Sequence, residues 1–113
     1  MLEYNNNWYN EDFHSGENEK EIDQFLAFIN YICYLRNMKI IKENEFKLLR
    51  YEVNRVCCNY GVQSYLWNLF HFSIKMNAKC SFNEIIDYGM KKKLLPQQFK
   101  QNNKDLFPKY LNF

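Results

Sequence analysis

The sequence predicts an all-α fold, a single-domain bundle of four main helices, and three observations support this prediction. Apolar residues recur at steps of three and four along most of the chain, as in helices with one buried face. Only three Gly and two Pro occur, so few positions are marked as turns. A chain of 113 residues can bury one hydrophobic core. We therefore expect one domain over 1–113, with an arm at 1–16, a helical core at 17–95 and a tail at 96–113.

The predicted N-terminal arm is aromatic and acidic. Trp8, Tyr9 and Phe13 stand among Asn and acidic residues, with neither a helical nor a strand period, so we expect an extended segment. Leaving Trp8 and Phe13 in water would forgo roughly 2 kcal/mol each. These rings are therefore expected either to pack on the helices or to anchor a partner.

The first helix is predicted over about 18–36, with Asn18 and Glu21 as a capping pair. Three rings flank its apolar core positions: Phe28, Tyr31 and Tyr34. The helix is thus apolar over more than half its circumference. Such a helix either lies at the centre of the fold or keeps one face for a partner.

The second and third helices are predicted as a hairpin, over about 43–60 and 63–76, and the third helix is expected to stop at Asn77. Gly61 is expected to adopt the left-handed conformation that ends the second helix. On the third helix, Trp67 is predicted to lie in the core. Tyr65 is a candidate partner-binding residue, together with Trp8, Tyr9 and Phe13 of the arm.

The fourth helix is predicted over about 82–93, with Ser81 as its N-cap and Glu84 returning the bond. Lys91, Lys92 and Lys93 would then lie near its C-terminus, where cations are favourable. Pro96 ends this helix. The basic tail that follows is expected to pack over the helices and to finish in a loose end containing Phe99 and Phe107.

Charge is distributed unevenly along the chain. The formal net charge is +2 overall, but it is −6 over residues 1–23 and +5 over residues 91–113. The acidic arm could fold onto the basic tail, or each segment could address a different partner. Both alternatives stay open at this point.

Val53 to Phe72 resembles a helix-turn-helix, with Gly61 in its turn and Cys57 four residues earlier. The resemblance implies a nucleic-acid-binding regulator as an alternative function. The polar residues expected on the exposed side of its second helix can bond to base edges: Gln63, Ser64, Tyr65 and Asn68. Arg50 and Arg55 would have to lie alongside to contact phosphates, because this helix carries few cations of its own.

No catalytic or metal-binding motif is present, so we expect a protein that is not an enzyme and needs no cofactor or metal. The chain has no glycine-rich phosphate loop, no G-x-S-x-G and no C-x-x-C among its four Cys. His71 is interpreted as a hydrogen-bonded residue rather than a catalytic base. The sequence has neither an apolar run of about 20 residues nor a signal peptide, which predicts a cytoplasmic protein without a membrane segment.

The aromatic content favours a function in macromolecular recognition. Ten Phe, nine Tyr and two Trp exceed what a core of this size encloses, and exposed rings contribute contact area at low entropic cost. We therefore predict a non-enzymatic protein–protein interaction or regulatory module. A homo-oligomer, a complex subunit and a small phage- or mobile-element-type inhibitor are all consistent with this prediction.

Overall fold

The computed structural model describes residues 16–103 and 105–109 of the chain. These residues form four helices: α1 (Glu17–Asn37), α2 (Glu43–Cys58), α3 (Tyr60–Lys75) and α4 (Asn83–Lys91). They contain no β-strand, and the predicted all-α fold class is confirmed. Within the same residues, no helix combines the length and the apolar character needed to cross a membrane.

One hydrophobic core holds the four helices together. α1 packs mainly against α4, and α2 contacts the other three helices. The largest fully buried side chains are aromatic: Trp67, Tyr65, Tyr88, Phe46 and Phe99. The predicted core position of Trp67 is confirmed.

The junction between α2 and α3 differs from the prediction. Gly61 does not have a positive φ and lies buried in the first turn of α3. The break is at Asn59, an extended residue whose Oδ1 accepts a hydrogen bond from the Val62 amide at 3.1 Å. The predicted glycine stop is therefore wrong. An N-cap for the following helix makes the turn, and no left-handed residue is needed.

Left-handed stops occur at the other three helix ends, and none of them uses glycine. Lys39, Asn77 and Lys93 have φ values of 58°, 55° and 58°. In each case the next amide donates to a carbonyl five residues earlier at 2.8 Å: Ile40 to Leu35, Ala78 to Ser73 and Leu94 to Gly89. These are Schellman motifs, and the predicted stop of α3 at Asn77 is confirmed.

Two predicted helix starts use different caps from those expected. The N-cap of α1 is Gly16 and that of α4 is Phe82, neither with a side-chain cap. Instead, Asn30 of α1 accepts a hydrogen bond from the Ile85 amide at 3.0 Å. The prediction of Asn18 and Ser81 as caps is wrong: Asn18 lies inside α1, which begins at Glu17, and α4 obtains its cap from a different helix.

The described residues after Pro96, 97–103 and 105–109, contribute two rings to the core. Phe99 and Phe107 are buried, which corrects the prediction for these two rings. The Phe99 amide donates to the Pro96 carbonyl at 2.9 Å, and Asn68 Nδ2 donates to the Pro108 carbonyl at 3.0 Å. The buried rings and the Asn68 bond thus fix this segment against α3.

Candidate protein-binding face

α1 has two apolar faces, and only one is buried. The buried face consists of Ile22, Leu26, Ile29, Ile32 and Cys33. On the opposite side of the helix, Phe28 and Tyr31 are each 58% exposed, Tyr34 is 39% exposed and Met38 is 59% exposed. At 100° per residue these four side chains form one stripe. We call this surface, together with exposed Gln24 and Ala27, the aromatic face of α1.

The aromatic face carries no charge. Arg36 is the only charged residue between Gln24 and Met38. Its guanidinium lies 5.3 Å from the ring centre of Phe46 and 5.2 Å from that of Tyr88. It also pairs with Glu43 at 3.0 Å. The one cation of this stretch is thus directed toward α2 and α4, away from the aromatic face.

Two asparagine side chains of α1 likewise attach it to α4. Asn30 caps α4, as described above. Asn37 Nδ2 donates to the carboxylate of Glu84 at 3.0 Å and is 3.3 Å from the Glu84 carbonyl. These bonds hold α1 in one orientation, so the aromatic face is presented by a fixed helix rather than by a loop.

Two of the exposed rings already contact each other. Tyr31 and Tyr34 lie with ring centres 6.4 Å apart and planes 18° from parallel. A ring that packs on a neighbour has few orientations left to lose. The pair therefore forms a partly ordered aromatic surface in the isolated chain.

The exposed apolar residues on α2, unlike those on α1, have charged neighbours. Leu48 is 87% exposed and Tyr51 is 74% exposed. Exposed charged residues share that side of α2: Lys47 and Arg55. Scattered apolar side chains among charges are ordinary on a protein surface, so this region does not form a comparable face.

Tyr65, predicted to bind a partner, is directed into the protein. Its ring is 1% exposed, and its hydroxyl lies 3.0 Å from Glu19 Oε2 and 2.5 Å from Asp23 Oδ1. Burial raises the pKa of Tyr65, and the hydrogen bond to Asp23 raises it further. The hydroxyl therefore stays protonated and links α3 to α1.

The polar residues of the helix-turn-helix hypothesis are mostly buried. Ser64 and Asn68 are fully buried, and Asn68 also donates to the Ser64 carbonyl. Gln63 is half-buried, and its Nε2 donates to the carbonyls of Cys57 and Leu94 at 2.8 and 3.1 Å. The predicted exposure of Ser64, Tyr65 and Asn68 is wrong because the side of α3 that carries them faces the core. Nucleic-acid binding itself stays a prediction, without the base-reading surface expected on α3.

The two arginines of that hypothesis lie on α2 and take part in local ion pairs. Arg50 pairs with Glu43 at 3.0 Å and lies over the Phe46 ring. Arg55 pairs with Glu52 at 3.8 Å. Trp8, Tyr9 and Phe13, the other predicted partner-binding residues, lie outside the described residues.

Burial shifts the pKa values of several titratable side chains in the core. Desolvation raises the pKa of Cys57 to about 12 and also raises that of Cys33. Burial lowers the pKa of His71, although its hydrogen bond to the Phe99 carbonyl acts in the opposite direction. His71 Nε2 lies 3.1 Å from that carbonyl oxygen, between the rings of Trp67 and Phe70. Among residues 16–103 and 105–109, no three His, Cys, Asp or Glu side chains are grouped as metal ligands.

The sequence pattern places the rings of the aromatic face at the flanks of the first helix but does not mark them as site residues. The signal was the excess apolar circumference of the first helix, which left a central position and a partner-binding face as alternatives. The exposure of Phe28, Tyr31 and Tyr34 shows that this side of α1 stays outside the core. No family model matches this chain, and no curated protein or solved structure is significantly similar to it.

Proposed function

We propose that this chain is a non-enzymatic protein-binding module, and that its contact surface is the aromatic face of α1. The observation that supports this most strongly is the continuous, uncharged stripe of Phe28, Tyr31, Tyr34 and Met38 on a helix whose opposite side is already buried. Interface cores are depleted in charge and enriched in Tyr, Phe and Met. A regulatory protein, an inhibitor or a subunit of a larger complex would use such a face in the same way.

Burial of this face would contribute a substantial part of the energy that specific binding requires. The exposed fractions of Phe28, Tyr31 and Tyr34 correspond to roughly 300 Å² of ring surface, at about 200 Å² per ring. Burying that area would contribute about 7 kcal/mol before the costs of association. Because α1 is held by Asn30 and Asn37, little of this gain is lost in ordering the helix.

Co-purification from the cells that naturally produce the protein tests this function. The wild-type chain, Tyr31→Ser and Tyr51→Ser would each carry an affinity tag, alongside an untagged copy of the chain. Tyr51→Ser is the matched control because Tyr51 is exposed on α2. We expect wild type and Tyr51→Ser to retain a bound protein, whether another protein or the untagged copy. We expect Tyr31→Ser to lose most of it, and equal retention by the two variants would contradict the proposal.

A further inference from the structure

We infer that the partner of the aromatic face is a second copy of this chain, with its α1 packed antiparallel against the first. This inference rests on the proposed function and identifies the protein that the face binds. Three features support it: the opposite charges at the two ends of the face, the symmetry of its ring pattern and the area that two copies would bury.

The two ends of the aromatic face carry opposite charge. Exposed Glu17 and Glu21 lie at the N-terminal end, where Lys20 is the only nearby cation on α1, and exposed Lys39 and Lys42 lie just beyond the C-terminal end. Within the described part of the chain, neither of these carboxylates pairs with a cation, and neither Lys39 nor Lys42 pairs with an acid. Their charges are therefore available to a partner.

An antiparallel arrangement brings these unlike charges together. The N-terminal end of one α1 then lies against the C-terminal end of the other, and the helix dipoles oppose each other favourably. A parallel arrangement would instead place Glu beside Glu and Lys beside Lys, which is unfavourable. Charge thus selects the antiparallel orientation.

The ring pattern suits a two-fold axis near Tyr31. Phe28 and Tyr34 lie three residues before and after Tyr31, so an axis there places Phe28 opposite Tyr34 of the partner subunit. Gln24 then lies opposite Met38 of the partner subunit, and Tyr31 packs against its own symmetry mate. The Phe28–Tyr34 and Gln24–Met38 contacts each occur twice, and the Tyr31 pair lies on the axis, as a two-fold interface requires.

A shallow depression completes the acidic end of the face. Its volume is about 410 Å³, and its lining includes Glu17, Lys20, Gln24 and Ala27. The turn after α1 of the partner subunit, with its two lysines, would lie near this depression in the antiparallel arrangement.

The area predicts a reversible dimer rather than a permanent one. Gln24 to Met38 covers about 21 Å of helix, and the exposed rings with their flanking residues present on the order of 500 Å² per copy. Two copies would bury about 1,000 Å² together, at the lower limit of specific interfaces. We therefore expect a dissociation constant in the micromolar range.

Charge reversal and mixing test the dimer. One variant carries E17K and E21K, and the other carries K39E and K42E. Sedimentation equilibrium would measure the mass of each variant in solution, with wild type and Y51S as controls. We expect wild type and Y51S to dimerise and each reversed variant to dimerise at least tenfold more weakly. In an equimolar mixture both ends become complementary again, so a heterodimer of about wild-type affinity should form.

Several outcomes would overturn the inference. A monomeric wild type at hundreds of micromolar, a dimer that Y31S does not weaken, or a mixture that fails to pair would each do so. Circular dichroism verifies that the variants are folded. If E17K/E21K is unfolded, E17Q/E21Q replaces it, with a several-fold weaker dimer expected and an unchanged dimer counting against the inference. A monomer that still retains another protein through Tyr31 overturns the dimer but not the proposed function.

Discussion

Arg36 contacts α2 and α4 on one side of α1, and its position there leaves the aromatic face on the other side without a charge. Its guanidinium lies between the rings of Phe46 and Tyr88 and pairs with Glu43. The carboxylate of Glu43 is largely exposed, so this ion pair contributes little. Two partly desolvated cation–π contacts contribute more, about 1 kcal/mol each.

Substitutions of Arg36 separate its charge from its packing. We expect Arg36→Ala to lower the free energy of unfolding by about 2–3 kcal/mol, since both the ring contacts and the stem are lost. Arg36→Met keeps an apolar stem and should lose about half as much. Denaturant unfolding measures both values, and a fully stable Arg36→Met would contradict a contribution from the charge.

The side-chain hydrogen bonds that could not be predicted from sequence join residues that lie far apart in the chain. Nothing near Tyr65 in the sequence indicates that Glu19 and Asp23 meet its hydroxyl. Asn30 is 55 residues from the amide that it caps. Local spacing predicts which residues can cap or bond, but only the packed helices bring such partners together.

At the scale of elements, local patterns predicted the existence of all four helices but not how α2 ends. Gly61 appeared to be the natural stop, yet Asn59 separates α2 from α3 by capping α3. Lysines occupy two of the left-handed positions, although glycine is the usual choice there. In these Schellman motifs the returning hydrogen bonds offset the modest cost of a left-handed non-glycine residue.

The end of α4 depends on a close approach that requires glycine. A Cβ atom at Gly89 would lie 2.7 Å from Cγ of buried Leu95. We therefore expect Gly89→Ala to destabilise the protein by about 1–3 kcal/mol, although alanine has the higher helix propensity. Thermal or denaturant unfolding would measure this loss.

Leu95→Ala supplies the control for that prediction. Alone it should destabilise the protein by leaving a cavity. Combined with Gly89→Ala it should cost less than the sum of the two changes, because the clash is removed. Additive losses would show that the approach of Leu95 is not the cause.

His71 makes the packing of the tail segment on α3 dependent on pH. Burial lowers its pKa below the ordinary value of 6.5, so the unfolded chain binds a proton more readily than the folded protein does. Stability from this group is fully present above about pH 6.5 and is lost as the pH falls toward the lowered pKa of the folded state.

Unfolding experiments between pH 8 and pH 5 measure this effect. We expect wild type to lose more stability over this range than His71→Gln, which cannot be protonated there. The glutamine amide can still donate to the Phe99 carbonyl, so it preserves the hydrogen bond while removing the titration. Parallel pH profiles for the two proteins would contradict the role assigned to His71.

At the scale of the whole molecule, composition predicted a surplus of rings but not their location. The core encloses Trp67, Tyr65, Tyr88, Phe46 and Phe99. The tail adds Phe107, which was expected to be loose. The rings that remain outside on α1 form a face only because α4 covers the other side of that helix. A one-dimensional pattern shows that a helix is apolar on two sides, and packing decides which side stays exposed.

The proposed function requires the aromatic face of α1 to be a contact surface in the cell. A photo-crosslinking amino acid placed at position 31 reports directly on what lies against it, and the same group at position 51 is the control. We expect irradiation of living cells to attach position 31 to one protein, with the mass of a covalent dimer if the partner is a second copy. Position 51 should give little product. Absence of any adduct at position 31, or equal products from both positions, would contradict the central claim.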